Sequence, residues 1–246
     1  MIKLIKAILK PLVPRWLQEI RIRINRERIQ ATLAASTPRE AFSMIYRQAL
    51  WDDQKSGSFN SGPGSHDPSV VAPYVEAALQ FIEKLGYKPN VVDLGCGDFN
   101  VGQQIRPFCN CYIACDVVPD LIGHNKIKYA ALGVDFTCLD LAKDVLPEGD
   151  MAFLRQVLQH LSNDLIQQVL PKLAKYKYVV VSEHLPLEPA FTPNVDKPLG
   201  AGVRLVSGSG VVLTAAPFHL AVRSEQVICT VKESDGLIQT TVYEMA

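Results

Sequence analysis

The sequence predicts an α/β fold: a mostly parallel sheet of seven strands, with helices on both faces and an antiparallel pair of strands at one edge. Three observations carry this prediction. From residue 73 onward, strand-like and helix-like runs alternate, as they do in parallel sheets with helical crossovers. Residues 178–182 are almost continuously apolar, which is typical of a strand covered on both faces. Near the end of the chain, Asp235-Gly236 separates two strand-like runs and predicts a hairpin.

The individual elements follow from residue type and spacing. Apolar, β-branched runs predict strands at residues 90–94, 111–117, 134–139, 151–154, 178–182, 227–231 and 239–243. Helical spacing of apolar residues predicts helices at 73–85, 98–106, 119–131 and 163–174. Gly86 is expected to end the first helix and Asn163 to cap the last. Residues 36–70 show no regular pattern, and the Gly- and Ser-rich stretch 56–65 is either a linker or a functional loop.

Composition excludes several classes of protein. The chain has 246 residues, 48% of them hydrophobic, so global disorder is excluded. Its 25 basic and 25 acidic residues balance, which argues against a nucleic-acid partner. Six cysteines in this length indicate reduced thiols and a cytoplasmic protein, and their spacing lacks the second pair of a zinc site, so no metal is expected. The sequence predicts neither a membrane-spanning helix nor a signal peptide.

The first 30 residues differ in charge from the rest of the chain. They hold eight cations and two acids, a net charge of +6, which leaves −6 for the remainder. Trp16 and Ile20 lie at helical spacing among the cations, and Pro11 and Pro14 are expected to divide the segment into two short helices. Such a basic amphipathic segment is typical of an anchor on an anionic membrane surface. A helix packed on its own domain, a partner-binding helix and an organellar targeting peptide are the alternatives.

A glycine-rich turn after the first predicted strand carries the chemistry. The strand ends at Asp93, and Gly95-Cys96-Gly97 then leads towards a helix. Glycines there permit positive φ and a close approach of the backbone to a ligand. Since ligands of open α/β sheets bind at the carboxyl ends of the strands, we expect a cofactor over residues 93–98.

The neighbouring residues indicate which cofactor this is. A dinucleotide site would have a third glycine where this chain has Asn100, and Asp93 and Asp98 would repel a pyrophosphate. Acidic residues instead suit S-adenosylmethionine, whose ammonium and sulfonium groups are cationic.

Acids also follow the next two predicted strands. Asp116, with Val117 beside it, is placed to accept hydrogen bonds from both ribose hydroxyls of such a cofactor. Asp140 is placed to bond the adenine amino group, and Leu141 to pack on the adenine ring. The three acids therefore lie where three parts of the cofactor are expected.

With these motifs the chain resembles the class I S-adenosylmethionine-dependent methyltransferases over about residues 61–185. The glycine turn matches their glycine motif, Asp116 their ribose acid and Asp140 their adenine-side acid, and residues 154–161 match the segment after their fourth strand. Residues 98–100 depart from the family, which often has a small residue and another glycine there. The resemblance implies a Rossmann-like methyltransferase domain at residues 36–246, after the basic helical segment 1–35.

Three further stretches are similar to a less characterised bacterial subgroup associated with polysaccharide and lipid-linked glycan loci. They are residues 61–65, 96–100 and 193–204. This likeness implies an acceptor hydroxyl on a glycan or a lipid-linked saccharide. A small-molecule or protein methyltransferase, and a non-catalytic cofactor-binding scaffold of a glycan-assembly complex, are the alternatives.

Candidate catalytic residues follow the fourth and fifth strands. A hydroxyl acceptor benefits from a general base, and imidazole titrates near neutral pH. His160 and His184 are the candidates, although each can instead be a structural histidine, and Glu183 can orient or replace His184. His66 and His219 are weaker candidates, and His124 is expected on a helix surface.

The remaining candidates bind the acceptor or close the site. Arg155 is expected to bind an anionic acceptor group, unless it pairs with a helix acid. Asp196 and Arg204 lie in the Pro- and Gly-rich insertion 185–217 and are expected to contact the acceptor. Ser65, in the loop 61–65, is expected to hold the cofactor's carboxylate as part of a lid, unless this loop is only a linker.

Overall fold

The computed structural model describes residues 14–51, 59–233 and 235–246. At its centre lies a seven-stranded sheet. Its strands are β1 (Val91–Leu94), β2 (Tyr112–Asp116), β3 (Asp135–Cys138), β4 (Met151–Arg155), β5 (Tyr178–Leu185), β6 (Val222–Lys232) and β7 (Leu237–Met245). They are ordered β3-β2-β1-β4-β5-β7-β6. The first five are parallel, and β7 runs antiparallel to both β5 and β6. The predicted mostly parallel sheet with an antiparallel hairpin at one edge is confirmed.

Helices cover both faces of this sheet, as predicted. The α-helices are α1 (Arg15–Ala34), α2 (Pro38–Arg47), α3 (Pro63–His66), α4 (Pro68–Lys84), α5 (Gly102–Ile105), α6 (Pro119–Lys128) and α7 (Asn163–Leu173). Successive strand residues point to opposite faces, so Leu154 and Phe153 of β4 belong to different buried clusters. Leu154 packs in the cluster of α2 and α7, and Phe153 in that of α4 and α6.

Helix α2 lies in the region that the sequence led us to read as irregular, and that prediction is wrong. The Thr37 hydroxyl accepts from the Glu40 amide at 3.4 Å, and the Glu40 carboxylate accepts from the Thr37 amide at 2.9 Å. This capping box supplies partners for amides that a helix start leaves unpaired. Ala41 and Ile45 bury the inner face of the helix.

Two predicted helix starts also need correction. Helix α4 begins at Pro68 rather than at residue 73, because the Asp67 carboxylate caps it by accepting from the Ser69 amide at 2.8 Å. The N-cap of α7 is Ser162, whose hydroxyl accepts from the Leu165 amide at 3.4 Å, and not Asn163.

The helix predicted over 98–106 is mostly absent. Only α5 is α-helical there, followed by a 3₁₀ turn at Arg106–Phe108. Phe99 has a φ of 62°, and the Asp98 carboxylate accepts from the Asn100 amide at 3.2 Å. This local turn competes with the first turn of a helix, as short polar side chains often do.

Helix α1 begins directly after Pro14, so the predicted division at Pro11 lies outside the described residues. Leu33, near the end of the helix, is buried in the core, whereas every described side chain from Trp16 to Arg28 is exposed. No helix in the described part of the chain is long and apolar enough to cross a membrane.

Candidate active site

A cavity of about 270 Å³ opens at the carboxyl ends of β1, β2 and β4. Because β1 lies between β2 and β4, the strand order reverses there, which is where open α/β sheets bind ligands. Most of the predicted site residues line this cavity: Ser65, Asp93, Gly95, Cys96, Gly97, Asp98, Asp116, Val117, Asp140, Leu141, Arg155, His160 and His184.

The glycine turn forms one wall of the cavity. Gly95 and Gly97 have φ of 84° and 56°, which glycine adopts most easily. A Cβ atom on Gly95 would lie 2.4 Å from a methyl carbon of Val157, and one on Gly97 would lie 2.4 Å from the Ser61 hydroxyl. Both backbone conformation and close packing therefore require glycine at these two positions.

Asp116 joins the end of β2 to this turn. Its carboxylate accepts from the Gly97 amide at 3.1 Å and from the Val118 amide at 3.0 Å. Burial raises its pKa to about 6 in spite of these bonds. The carboxylate is thus fixed at the cavity wall beside Val117, and Asp116 ends β2, as the sequence predicted.

Asp93, the predicted acid at the end of β1, is also buried. One of its carboxylate oxygens accepts from the Tyr112 hydroxyl at 3.0 Å. Burial raises its pKa to about 7, because water is excluded from the charged form. A bound cation would favour the ionised form of Asp93.

Asp140 follows β3 and lines the same cavity. Its carboxylate accepts from the Ala142 amide at 3.0 Å, and its own amide donates to Asp144 at 2.8 Å. These bonds hold Leu141 in the turn, where it also lines the cavity.

The loop of residues 59–66 covers the glycine turn. Asp98 Oδ2 accepts from the Ser61 amide at 3.0 Å and lies 2.5 Å from Nε2 of His66. The Ser61 hydroxyl accepts from the Asp98 amide at 2.9 Å and bonds the Tyr46 hydroxyl at 2.9 Å. The residues predicted to form a lid are therefore fastened to the turn and to α2.

The side chains of Ser65 and Arg155 lie next to each other beside the loop of residues 59–66. Arg155 donates to the Gly64 carbonyl at 2.5 Å and lies 3.5 Å from the Ser65 hydroxyl, with its guanidinium 4.8 Å from the centre of the Tyr74 ring. Burial lowers the pKa of Arg155. Nε of Arg155 and Nε2 of Gln156 are buried and make no hydrogen bond to any described residue. Arg155 and Gln156 both line the cavity, so two donors lie unpaired close behind its wall, and an unpaired buried donor is costly.

His160 is buried among aromatic side chains. Its ring centre lies 5.0 Å from that of Trp51 and 6.4 Å from that of Phe42. Burial lowers its pKa to about 3, so the ring is neutral at physiological pH. Its Nδ1 makes no hydrogen bond within the described residues.

His184 lies at the cavity edge with both ring nitrogens bonded. Nδ1 is 3.0 Å from Oε1 of Gln159, and Nε2 is 2.6 Å from Oε2 of Glu233. Gln159 and Glu233 line the same cavity.

Glu183 has its carboxylate turned away from the cavity. It accepts from the amides of Leu158 and Gln159 at 2.9 and 3.0 Å. Burial raises its pKa to about 8. It therefore anchors the 3₁₀ turn Leu158–His160 to β5, and this anchoring is its role in the structure.

Two residues predicted to bind the acceptor lie away from the cavity, and we correct that prediction. Arg204 is buried and donates to the carbonyls of Val195 and Leu161 at 2.6 and 2.7 Å. Asp196 accepts from the Asn163 amide at 2.8 Å. Both side chains fasten the 185–217 insertion to the domain.

The other three histidines, His66, His124 and His219, do not line the cavity. His66 bonds Asp98, and the His124 ring lies 5.4 Å from that of Phe59. His219 has a φ of 47° and does not line the cavity.

Tyr46, Trp51, Gln159 and Glu233 are among the cavity residues that the predicted site did not include. The sequence signal that could have led to Tyr46 and Trp51 is the capping box at Thr37, because it marks the start of α2. Glu233 follows β6 and has no local motif, so only the tertiary structure brings it to His184.

Comparison with known proteins begins with the sequence. No protein-family model and no curated protein matches the chain.

Solved structures do match. Human N-acetylserotonin methyltransferase in complex with S-adenosylmethionine has a TM-score of 0.57 at 18% identity, over 86% of this chain and 60% of that chain. The N-methyltransferase NodS from Bradyrhizobium japonicum WM9, in complex with S-adenosylhomocysteine, gives 0.58 at 13%, over 82% and 97%. Magnesium protoporphyrin IX methyltransferase from Synechocystis PCC 6803, with S-adenosylhomocysteine, gives 0.53 at 11%, over 90% and 100%.

These similarities concern the fold. The chain spans about 60% of the length of the human enzyme and nearly all of the two bacterial ones. It has the class I methyltransferase fold.

Proposed function

We propose that this chain is an S-adenosylmethionine-dependent methyltransferase that methylates a hydroxyl of a glycan or lipid-linked saccharide. The observation that carries the enzyme class is the placement of Asp93, Asp116 and Asp140 around one cavity at the reversal of strand order. In this arrangement Asp93 can bind the ammonium group of the cofactor, Asp116 its ribose and Asp140 its adenine.

The unpaired donors of the cavity fit the remaining group of this cofactor. Its carboxylate needs cationic or neutral donors, and Arg155 Nε and Gln156 Nε2 are buried without partners in the described structure. Ser65 lies beside Arg155. We therefore assign Arg155 to the cofactor's carboxylate rather than to an anionic acceptor, as the sequence alone had suggested.

When bound, S-adenosylmethionine supplies an activated methyl group and a good leaving group. The chain's own residues then need to align the acceptor, exclude water and receive a proton. The loop 59–66, held by Asp98 and His66, closes the cofactor end of the cavity. Tyr46 and Trp51 line the cavity beside this loop, where the Tyr46 hydroxyl bonds that of Ser61 at 2.9 Å.

A saccharide acceptor is supported by the mixture of side chains that line the cavity around His160. Trp51 and Phe42 offer flat apolar faces that suit the C–H faces of a sugar ring, while Gln159 and Glu233 can bond its hydroxyls. Sugars present both kinds of surface on one ring.

A reversible attachment to anionic membranes completes the proposal. Trp16, Ile20 and Ile24 lie one turn apart along α1 and are exposed by 60%, 37% and 56%. Arg21, Arg23, Arg26 and Arg28 are exposed around them. Each cation near an anionic leaflet contributes about 1 kcal/mol. The basic residues predicted to add to this anchor at positions 3, 6 and 10 lie outside the described residues.

A transfer assay with methyl-tritiated S-adenosylmethionine tests the function. The purified full chain is incubated with an extract that lacks its methylation, and the extract is then separated into glycolipid, polysaccharide, protein and small-molecule fractions. We expect label in glycolipid or polysaccharide. Label in protein or small molecules would show that the acceptor is of that class and not a saccharide. No label despite cofactor binding would favour a non-catalytic scaffold.

A further inference from the structure

A chain of four hydrogen-bonded side chains runs along the acceptor end of the cavity. It joins His160, Gln159, His184 and Glu233, which come from the turn after β4, from β5 and from the end of β6. All four line the cavity. Its three links join Nε2 of Gln159 to Nε2 of His160 at 3.4 Å, Oε1 of Gln159 to Nδ1 of His184 at 3.0 Å, and Nε2 of His184 to Oε2 of Glu233 at 2.6 Å.

The backbone determines the polarity of this chain. The amide of His184 donates to Oε1 of Gln159 at 3.2 Å, so the oxygen of the Gln159 side chain must face His184. The His184 Nδ1 next to the same oxygen therefore carries a proton. The Gln159 amide nitrogen then donates to His160 Nε2. If the Gln159 side-chain amide were rotated by 180°, its NH2 group would face the backbone amide of His184, which is also a donor. That arrangement is therefore excluded.

One proton therefore lies between His184 and Glu233. With Nδ1 of His184 committed to Gln159, the 2.6 Å contact between Nε2 and Oε2 of Glu233 needs a single shared proton. Both nitrogens of His184 are thus occupied. Oε1 of Glu233, in contrast, is bonded by no residue of the described ranges, and 27% of the side chain is exposed.

We propose that Glu233 is the catalytic residue that receives the acceptor's proton, and that His184 and Gln159 are positioning residues that turn its free oxygen towards the cavity. This inference rests on the proposed methyl transfer. It replaces His184 as the base that the sequence predicted, because the lone pair of Nε2 is not available while Glu233 is bonded to it.

The proposed step balances. The acceptor oxygen bonds the methyl carbon as the carbon–sulfur bond breaks, and sulfur keeps that electron pair and leaves as a neutral thioether. The hydroxyl proton of the acceptor passes to Oε1 of Glu233. The resulting carboxylic acid, still bonded to His184 through Oε2, releases its proton to water at its exposed side.

The first test is the substitution Glu233→Gln, which keeps the size of the side chain and removes its charge. With the unmethylated form of the fraction that wild type labels as substrate, we expect kcat to fall by about 10²-fold or more, as for loss of a general base. KM and the affinity for S-adenosylhomocysteine should stay close to wild type. Glu225→Gln makes the same change within β6, where the Glu225 carboxylate accepts from the hydroxyl of the half-buried Thr214 at 3.1 Å, away from the cavity lining, and should keep wild-type kcat.

The second test measures the protonation of His184 in the hydrogen-bond chain and needs no methyl acceptor. In ¹⁵N spectra of the full chain labelled at histidine, Nδ1 of His184 should be a protonated nitrogen, and Gln159→Leu should alter this signal while Glu225→Gln does not. An unprotonated Nδ1 would overturn the positioning role.

The outcomes separate this inference from the function on which it rests. Wild-type kcat in Glu233→Gln would overturn the role of Glu233 while leaving the methyltransferase intact. No transfer by wild type to any fraction would overturn the proposed function, and the role of Glu233 with it.

Discussion

Asp98 and His66 are joined by a contact of 2.5 Å between Oδ2 and Nε2, across 32 residues of the chain. The same oxygen accepts from the Ser61 amide at 3.0 Å. The residue that directly follows the glycine turn therefore fastens the loop above it. This relationship explains why Asp98 lines the cavity although its carboxylate is occupied by the protein itself.

Loosening this contact should weaken cofactor binding. In Asp98→Asn, an NH2 group replaces one of the two accepting oxygens and faces either the Asn100 amide or the Ser61 amide and His66, so the loop closes less often. We expect a loss of about 1–3 kcal/mol in S-adenosylhomocysteine affinity by calorimetry, the usual cost of removing hydrogen bonds to a charged group. Asp120→Asn, on the exposed start of α6, is the control. Equal affinities in the two variants would show that the loop does not hold the cofactor.

Cofactor affinity should depend on pH through Asp93. Burial raises the pKa of Asp93 to about 7, and only its ionised form attracts an ammonium. As pH falls from 8 to 6, the ionised fraction drops to about a tenth, so the apparent Kd should rise about tenfold. Asp93→Asn should bind weakly at every pH in this range. A Kd that stays constant in wild type would contradict the assignment of Asp93 to the ammonium.

His160 should prove structural. Burial lowers its pKa to about 3, which makes it a weak proton acceptor at neutral pH, and its ring packs on Trp51. We expect His160→Phe, which keeps an aromatic ring there, to retain kcat within about tenfold, compared with the 10²–10⁴-fold loss typical of a missing base. Thermal unfolding of the variant controls for damage to the fold. A larger loss of kcat in a stable variant would restore His160 as the base.

The basic helix should mediate binding to anionic membranes. Residues 1–28 can be removed without touching Leu33, which packs in the core. We expect the shortened chain to lose sedimentation with phosphatidylcholine vesicles that contain phosphatidylserine while its cofactor binding persists. A full-length variant with Arg21, Arg23, Arg26 and Arg28 changed to Glu should behave in the same way. Vesicle binding by either variant would assign α1 to another partner.

The sheet and the glycine turn at the cavity could be predicted from the sequence because their signals are local. Buried parallel strands need apolar runs, and the glycine turn needs residues that tolerate positive φ, as Gly95 and Gly97 do. Asp116 is predictable for the same reason, since it directly ends a strand.

The surroundings of His184 could not be predicted because their contacts are long-range. Glu233 and His184 lie 49 residues apart and meet only through the pairing of β5, β7 and β6. The roles of Arg204 and Asp196 were mistaken for a similar reason. Polar residues in an insertion can serve its folding or its ligand, and only the carbonyls and amides that they meet distinguish the two.

Calorimetric titration of S-adenosylhomocysteine into the full chain and into Asp116→Ala tests the central claim most directly. The control, Asp120→Ala, should match wild type. We expect wild type to bind one equivalent, and Asp116→Ala to bind more weakly by about 1–3 kcal/mol because the ribose loses its acceptor. Absence of binding by wild type, or equal affinity in Asp116→Ala, would contradict the claim that this cavity holds the cofactor.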